Sequence, residues 1–317
     1  MKSCKLSYTA LFFSAVCMLF SSPTWAVIIL DNTYKKYGFE KAEALALLPQ
    51  FSSLIFLEGE SESGSGSWIG NDDGHGYVLT AGHMFPSGTD VSAYSYQTLD
   101  GTKYKGDMLF LHPLWNDNTD DRTGYDFAIV RLEKNVTTAG EQPAIYDGNA
   151  EKGQKLTFIG YGWRGTGLKG EDTSIDTGNR PAAAEGLIEQ VVNAVTPIPK
   201  TGDAGNYFGV WLPKEDGSLD NPLDENGITE PVSPLAGILG SGDSGGPAWI
   251  KTENGWAIAG VNSNGNGNAK YGNVSWFPRA SRVKGWIKHL VPTARFIDGK
   301  TAVMSTTSPA PHSKASP

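Results

Sequence analysis

From Ser52 onward, short apolar, β-branched or aromatic runs alternate with turn residues, and this rhythm restricts the fold more than any other feature of the chain. The runs occupy 53–57, 66–70, 76–80, 108–111 and 127–132, then 155–162, 187–195, 247–251, 256–262 and a stretch near Trp276. Runs of this length bounded by Gly, Pro, Asn and Asp read as strands. Asn71-Asp72-Asp73-Gly74 and Asp100-Gly101 have the composition of tight hairpin turns, because Gly, Asn and Asp accept a positive φ. Among 317 residues there are 39 glycines and 18 prolines. That punctuation favours an all-β barrel or sandwich over a parallel α/β fold. The two sets of strands divide near residues 140–152, and no internal repeat is visible.

The ends of the chain read differently. Lys2 and Lys5, an apolar run from Ala10 to Phe20, and Thr24-Trp25-Ala26 have the form of a signal peptide over residues 1–26. The apolar run is too short for a comfortable membrane span. The expectation is a secreted or periplasmic protein with no membrane anchor after cleavage. Cys4 and Cys17 both lie in this segment, so the exported chain depends on its core rather than on disulfides, and it is long enough to bury one. The formal charge is −8 and becomes more negative once Lys2 and Lys5 are removed. This argues against nucleic acid or an anionic membrane as the main partner.

Residues 27–50 begin Val27-Ile28-Ile29-Leu30 and continue with helix-prone Ala, Leu, Glu and Lys; they read as an N-terminal segment or propeptide. Two segments, 163–185 and 201–234, are rich in Gly, Asp, Asn and Pro and read as surface loops. Within 216–227, Asp220, Asp224, Glu225 and Asn226-Gly227 suggest a calcium loop. The alternating ligand pattern is missing, so no metal and no cofactor are expected. Residues 293–317 turn to Thr, Ser, Pro, Ala and Lys and read as a disordered tail.

The chemistry concentrates in Gly240-Ser241-Gly242-Asp243-Ser244-Gly245-Gly246-Pro247-Ala248-Trp249. Glycines permit a tight turn and close approach of a ligand. A serine held there beside free backbone N–H groups has the layout of a nucleophile with an oxyanion site. Thr80-Ala81-Gly82-His83 follows one strand-like run, and Asp126 precedes another. Of the five histidines, His75 lies in a turn before its strand, His112 reads as structural, His289 lies on a C-terminal helix and His312 in the tail. His83 is the candidate base. Asp117, Asp120 and Asp121 sit in a polar loop with no following strand, whereas Asp126 precedes one.

In that order, His83, Asp126 and Ser244 resemble the triad of the trypsin/chymotrypsin family of serine proteases. The resemblance extends to Leu111-His112-Pro113-Leu114-Trp115, to Gly260–Gly265 and to the stretch 277–287, and it covers roughly residues 50–292. It implies two antiparallel six-stranded β-barrels with a C-terminal helix, the first over 51–145 bearing His83 and Asp126, the second over 146–292 bearing Ser244. It implies that His83 acts as acid and base, that Asp126 orients it, and that the N–H groups of Gly242 and Ser244 bind the oxyanion. Ile238, six residues before the serine, would floor the primary pocket, with Ser241, Ser263 and Gly265 around it and Ser275 on the far wall. An apolar floor gives a buried Lys or Arg no partner, so polypeptides with an uncharged, apolar P1 residue are the expected substrates. The resemblance also suggests that Val27, freed by signal cleavage, pairs with Asp243, although the glycines that usually follow the aliphatic pair are missing.

Other readings fit less well. Gly242-x-Ser244-x-Gly246 also matches the nucleophile elbow of α/β-hydrolases, which needs an acid and then a histidine after the serine; only Glu253 and His289 could serve. A subtilisin order does not suit the serine motif, and a high-temperature-requirement protease would need a peptide-binding domain after residue 292. A catalytically inactive, protease-like binding protein is the alternative from another class, and such proteins usually lose a triad member.

Overall fold

The computed structural model describes residues 27–60, 62–116, 124–192 and 205–299. The expected signal peptide, residues 300–317 of the expected tail, and Asp117, Asp120 and Asp121 lie outside them. Among the described residues no helix is long and apolar enough to cross a membrane.

The N-terminal segment forms strand β1 (Ile28–Ile29) and helices α1 (Asp31–Tyr37) and α2 (Glu40–Ala46). Six strands follow: β2 (Leu54–Glu58), β3 (Ser63–Asp72), β4 (His75–Thr80), β5 (Ser95–Thr98), β6 (Lys103–Leu111) and β7 (Ala128–Leu132). They pair antiparallel in the order β2-β3-β4-β7-β6-β5 and close into a barrel. The hairpin between β3 and β4 turns at Asp73 and Gly74, both at positive φ, as their residue types predict. Leu57, Val78, Leu79, Ile129 and Val130 are buried in its core.

The second half comprises β8 (Ala144–Tyr146), β9 (Lys155–Gly160), β10 (Gly165–Thr166), β11 (Gly170–Glu171), β12 (Ala182–Leu187), β13 (Gln190–Val192), β14 (Tyr207–Trp211), β15 (Gly237–Ile238), β16 (Pro247–Thr252), β17 (Gly255–Val261), β18 (Asn264–Gly265) and β19 (Val274–Pro278), then helix α3 (Lys284–Leu290) and β20 (Arg295–Ile297). One sheet runs β12-β9-β16-β17-β8-β20, another β13-β14-β19-β18. β12 and β13 are successive parts of one bent run, each at an edge of its sheet, and Gly260 of β17 bridges Arg279 just beyond β19. These two links draw β9, the β12–β13 run, β14, β19, β17 and β16 into a second antiparallel ring. At the bridge, buried Arg279 donates to both carboxylate oxygens of buried Glu151, at 2.9 and 2.6 Å. Helix α3 returns to the first half, where Val283, Ile287 and Val291 join the core that contains the first barrel.

Residues 27–50 are built into the second half. β1 lies between β10 and β15, with Ile28 opposite Gly165 on one side and Ile238 on the other. Val27, Ile28 and Ile29 have no exposed surface, and burial of each is worth about 1.5–3 kcal/mol. Helix α2 presents Glu43 to Arg164, at 2.5 Å, and to Arg180, at 3.1 Å.

Three expectations need correction. The segment 201–234 is not all loop: Tyr207–Trp211 is a fully buried strand paired with β13 and β19. The segment 163–185 contains the β10–β11 hairpin, ordered by pairing with β1. The chain also does not become irregular at 293, because Arg295–Ile297 pairs parallel to β8 and Phe296 packs on the core.

Candidate active site

β4 and β7 are neighbours, with Thr80 opposite Ala128. His83 lies three residues beyond Thr80 and Asp126 two residues before Ala128, at the same end of the strand pair, so the register brings them together. Asp126 accepts from the His83 backbone N–H at 2.8 Å, and its Oδ2 lies 2.7 Å from His83 Nδ1. Ser263 Oγ donates to the same Oδ2 at 2.6 Å. The His112 ring supports this corner, stacked on Tyr125 and edge-on to Trp286 of α3.

Ser244 arrives from the other half, on the turn between β15 and β16. The Ser65 N–H of β3 donates to the Ser244 carbonyl at 2.8 Å. Gly245 is at φ +79°, and a Cβ there would fall 1.9 Å from Thr80 Oγ1 and 2.3 Å from the Ser65 carbonyl. Glycine therefore lets the turn press against the first barrel, and Ser244 Oγ comes to 2.7 Å from His83 Nε2. Buried Asn262 pins the same turn by donating to the Asp243 and Ile159 carbonyls, both at 2.9 Å. The backbone N–H groups of Gly242 and Ser244 have no hydrogen-bond partner among the described residues.

The charges are biased in opposite directions. Burial alone would raise the Asp126 carboxyl, but the His83 ring and the donors from His83 and Ser263 outweigh it and hold the group below its ordinary range. Burial alone would lower the His83 imidazole, but the Asp126 charge and hydrogen bond prevail and raise it. An imidazole so placed is held with its proton on Nδ1 and Nε2 facing the serine.

Asp243, beside the serine, points the other way and is 1% exposed. It accepts from the N–H groups of Gly162 at 2.9 Å, Gly240 at 2.8 Å and Val27 at 3.0 Å. Burial nevertheless pushes its carboxyl up to about 7. The position suggested for Val27 is therefore occupied, with the Val27 nitrogen facing Asp243.

Ser244 opens onto a cavity of about 650 Å³. Ile238, 1% exposed, lines it with Leu239 and Val274, and Ser241, Ser263 and Gly265 line it as well. Ser275 is buried and its hydroxyl accepts the Leu239 N–H at 3.0 Å. β18, which carries Gly265, is the outer strand of its sheet. Sequence reasoning missed three features here: the Ser263 hydroxyl on Asp126, Trp163 on the cavity wall, and Glu171, whose carboxylate meets Ser241. In 216–227, Asp224 pairs with Lys152 at 3.3 Å. No group of three or more His, Cys, Asp or Glu able to hold a metal occurs among the described residues.

A family model described as a trypsin-like peptidase domain matches residues 64–261, a span that contains His83, Asp126 and Ser244. No curated protein matches the chain.

Proposed function

Because the chain belongs to the trypsin-like peptidase domain family, a family of serine proteases, we propose that it is an exported endopeptidase that cuts polypeptides through an acyl-enzyme on Ser244. The observation that carries this reading is the continuous chain Asp126–His83–Ser244, at 2.7 Å on each side of the imidazole, next to two unpaired backbone donors. The chemistry follows the established serine-triad template. A serine hydroxyl is a weak nucleophile, so His83 Nε2 removes its proton as Oγ bonds to the substrate carbonyl carbon. Gly242 and Ser244 N–H donate to the resulting oxyanion, and Asp126 offsets the charge on the imidazolium. His83 then gives the proton to the leaving amine, the C–N bond breaks, and the acyl group stays on Ser244. Water enters, His83 takes its proton, and a second tetrahedral collapse frees the carboxylic acid and restores the serine.

Substrate selection follows from the cavity. Ile238 and Leu239 offer no counter-charge, the Glu171 carboxylate on the cavity wall is already engaged by Ser241, and Lys169 and Lys270 line the same cavity, so a Lys or Arg side chain would be costly to desolvate there. The preferred P1 residue is accordingly uncharged and apolar, with the peptide added along the open edge of β18. Ser241, Ser263 and Gly265 border that path.

Export and maturation belong to the same reading. The Val27 nitrogen lies 3.0 Å from buried Asp243. Cleavage after Ala26 converts the Val27 amide into an ammonium, which supplies buried Asp243 with a counter-charge. Residues 27–50 then remain as part of the mature enzyme in the periplasm or outside the cell.

Cleavage of a peptide library by the purified protein, with its own N-terminus sequenced, tests these points together. The expected result is cutting after apolar residues by a chain that begins at Val27. Cutting after Arg at a matching rate would overturn the P1 assignment, and a mature start beyond Leu30 would overturn the role of Val27.

A further inference from the structure

The peptide between Ser241 and Gly242 carries one of the two unpaired donors, and it has a holder of its own. Trp163 N–H donates to the Ser241 carbonyl at 2.6 Å. Glu171 Oε1 accepts from the Ser241 N–H at 2.6 Å and from Ser241 Oγ at 2.8 Å. In a trans peptide the C=O and the following N–H point in opposite directions. A carbonyl fixed on Trp163 therefore turns the Gly242 N–H away from Trp163.

The turn does not enforce this orientation by itself. Gly242 is at φ +88°, and glycine accepts either sign of φ at little cost. A half-rotation of the 241–242 peptide is thus open to the backbone, and it would present a carbonyl where an N–H is needed. What opposes the rotation comes from outside the turn. Glu171 ends the β10–β11 hairpin, where Asp172 N–H donates to the Arg164 carbonyl at 2.7 Å. Arg164 is itself buried and paired with Glu43 of α2, and β10 is paired with β1. The carboxylate that meets Ser241 is thereby fixed to the N-terminal segment.

We propose that Glu171 is a positioning residue, which keeps the 241–242 peptide turned so that the Gly242 N–H can serve the oxyanion. This rests on the peptidase reading above. Glu171 touches no reacting atom in this account; it acts through Ser241.

The test compares wild type with Glu171→Ala and Glu171→Gln, using kcat and KM for a peptide amide and the affinities for a peptide aldehyde and for the matching product peptide. Removing an oxyanion donor outright costs about 10²–10³ in kcat; loosening one should cost about 10-fold. Glu171→Ala is expected to lower kcat and aldehyde affinity about 10-fold, with KM and product affinity within about 2-fold and unchanged thermal unfolding. Glu171→Gln keeps an acceptor oxygen for both Ser241 donors and is expected to stay within about 3-fold of wild type. Three results would overturn the proposal: an unchanged kcat in Glu171→Ala, a loss confined to KM and product affinity, or Glu171→Gln as poor as Glu171→Ala with both folded. If Glu171→Ala does not fold, Glu171→Gln against Glu171→Leu decides on the same terms. A wild-type protein inert to peptides and to a fluorophosphonate sinks the peptidase reading itself and the positioning role with it, whereas an active wild type with indifferent Glu171 variants sinks only the latter.

Discussion

The two halves of the molecule reach similar rings by different means. The first closes through continuous main-chain pairing of β2 to β7, and its two functional residues flank a single strand pair. The second closes through a bend between β12 and β13 and one bridge at Arg279, and its serine turn is held by residues from far along the chain: Val27 and Gly162 on Asp243, Trp163 and Glu171 on Ser241. His83 and Asp126 thus sit on a barrel closed within the first half, with Ser263 of the second half reaching across to Asp126. The serine turn depends on a strand borrowed from residues 27–50, so the proposed chemistry and the proposed maturation meet in the second half.

The sharpest break between the halves comes from the reacting groups, which must fail together although they belong to different frames. Ser244→Ala and His83→Ala should each lower kcat by about 10⁶ without lowering the unfolding temperature; a residual rate within 10³ of wild type would separate residues that the account joins. Next, protein retaining a few residues before Val27 should lose about 100-fold or more in kcat/KM. A buried carboxylate left without its counter-charge costs about 3–5 kcal/mol, and the serine turn bears that loss. The downfield proton shared by His83 and Asp126 should persist in the same NMR sample, because the first barrel does not use Val27. Equal disorder in both halves would erase the comparison.

Ion pairs offer a third contrast. Arg279→Met strands the fully buried Glu151 carboxylate and should cost about 3–5 kcal/mol in denaturant unfolding. Asp107→Asn breaks the partly exposed pair with Arg131 on the first barrel, at 2.8 Å, and should cost less than about 1 kcal/mol. The smallest effect is on pH. His83 must be neutral to accept the serine proton, and its pKa is raised, so the acid limb of kcat/KM should have its midpoint above the ordinary histidine value of about 6.5. The same shift adds stability that is present below the ordinary value and is lost as pH rises through the raised one. Asp126→Asn removes the raising charge and should move the acid limb downward.

What the sequence disclosed follows the range of the forces involved. The strand–turn rhythm, the hairpins at Asp73-Gly74 and Gly101, and the three triad candidates are local patterns, visible within a few residues. Tyr207–Trp211 carries an aromatic and β-branched run that is itself a strand signal, but the Gly, Asp and Pro around it make the segment read as loop. β10 and β11, two residues each, have no periodicity to read, since their order comes from β1. Residues 295–297 read as tail because Arg295–Ile297 is a strand only through its pairing with β8. Glu171 is one acid in a glycine-rich segment, and nothing in its spacing foretells contact with a serine 70 residues later.

The central claim is that the two frames meet at one working nucleophile, and fluorophosphonate labelling read by peptide mass spectrometry tests it most directly. The account predicts a single adduct, on Ser244, that vanishes in His83→Ala although the serine is still present. An adduct formed equally well without the imidazole, or none on folded wild-type protein that begins at Val27, would contradict it.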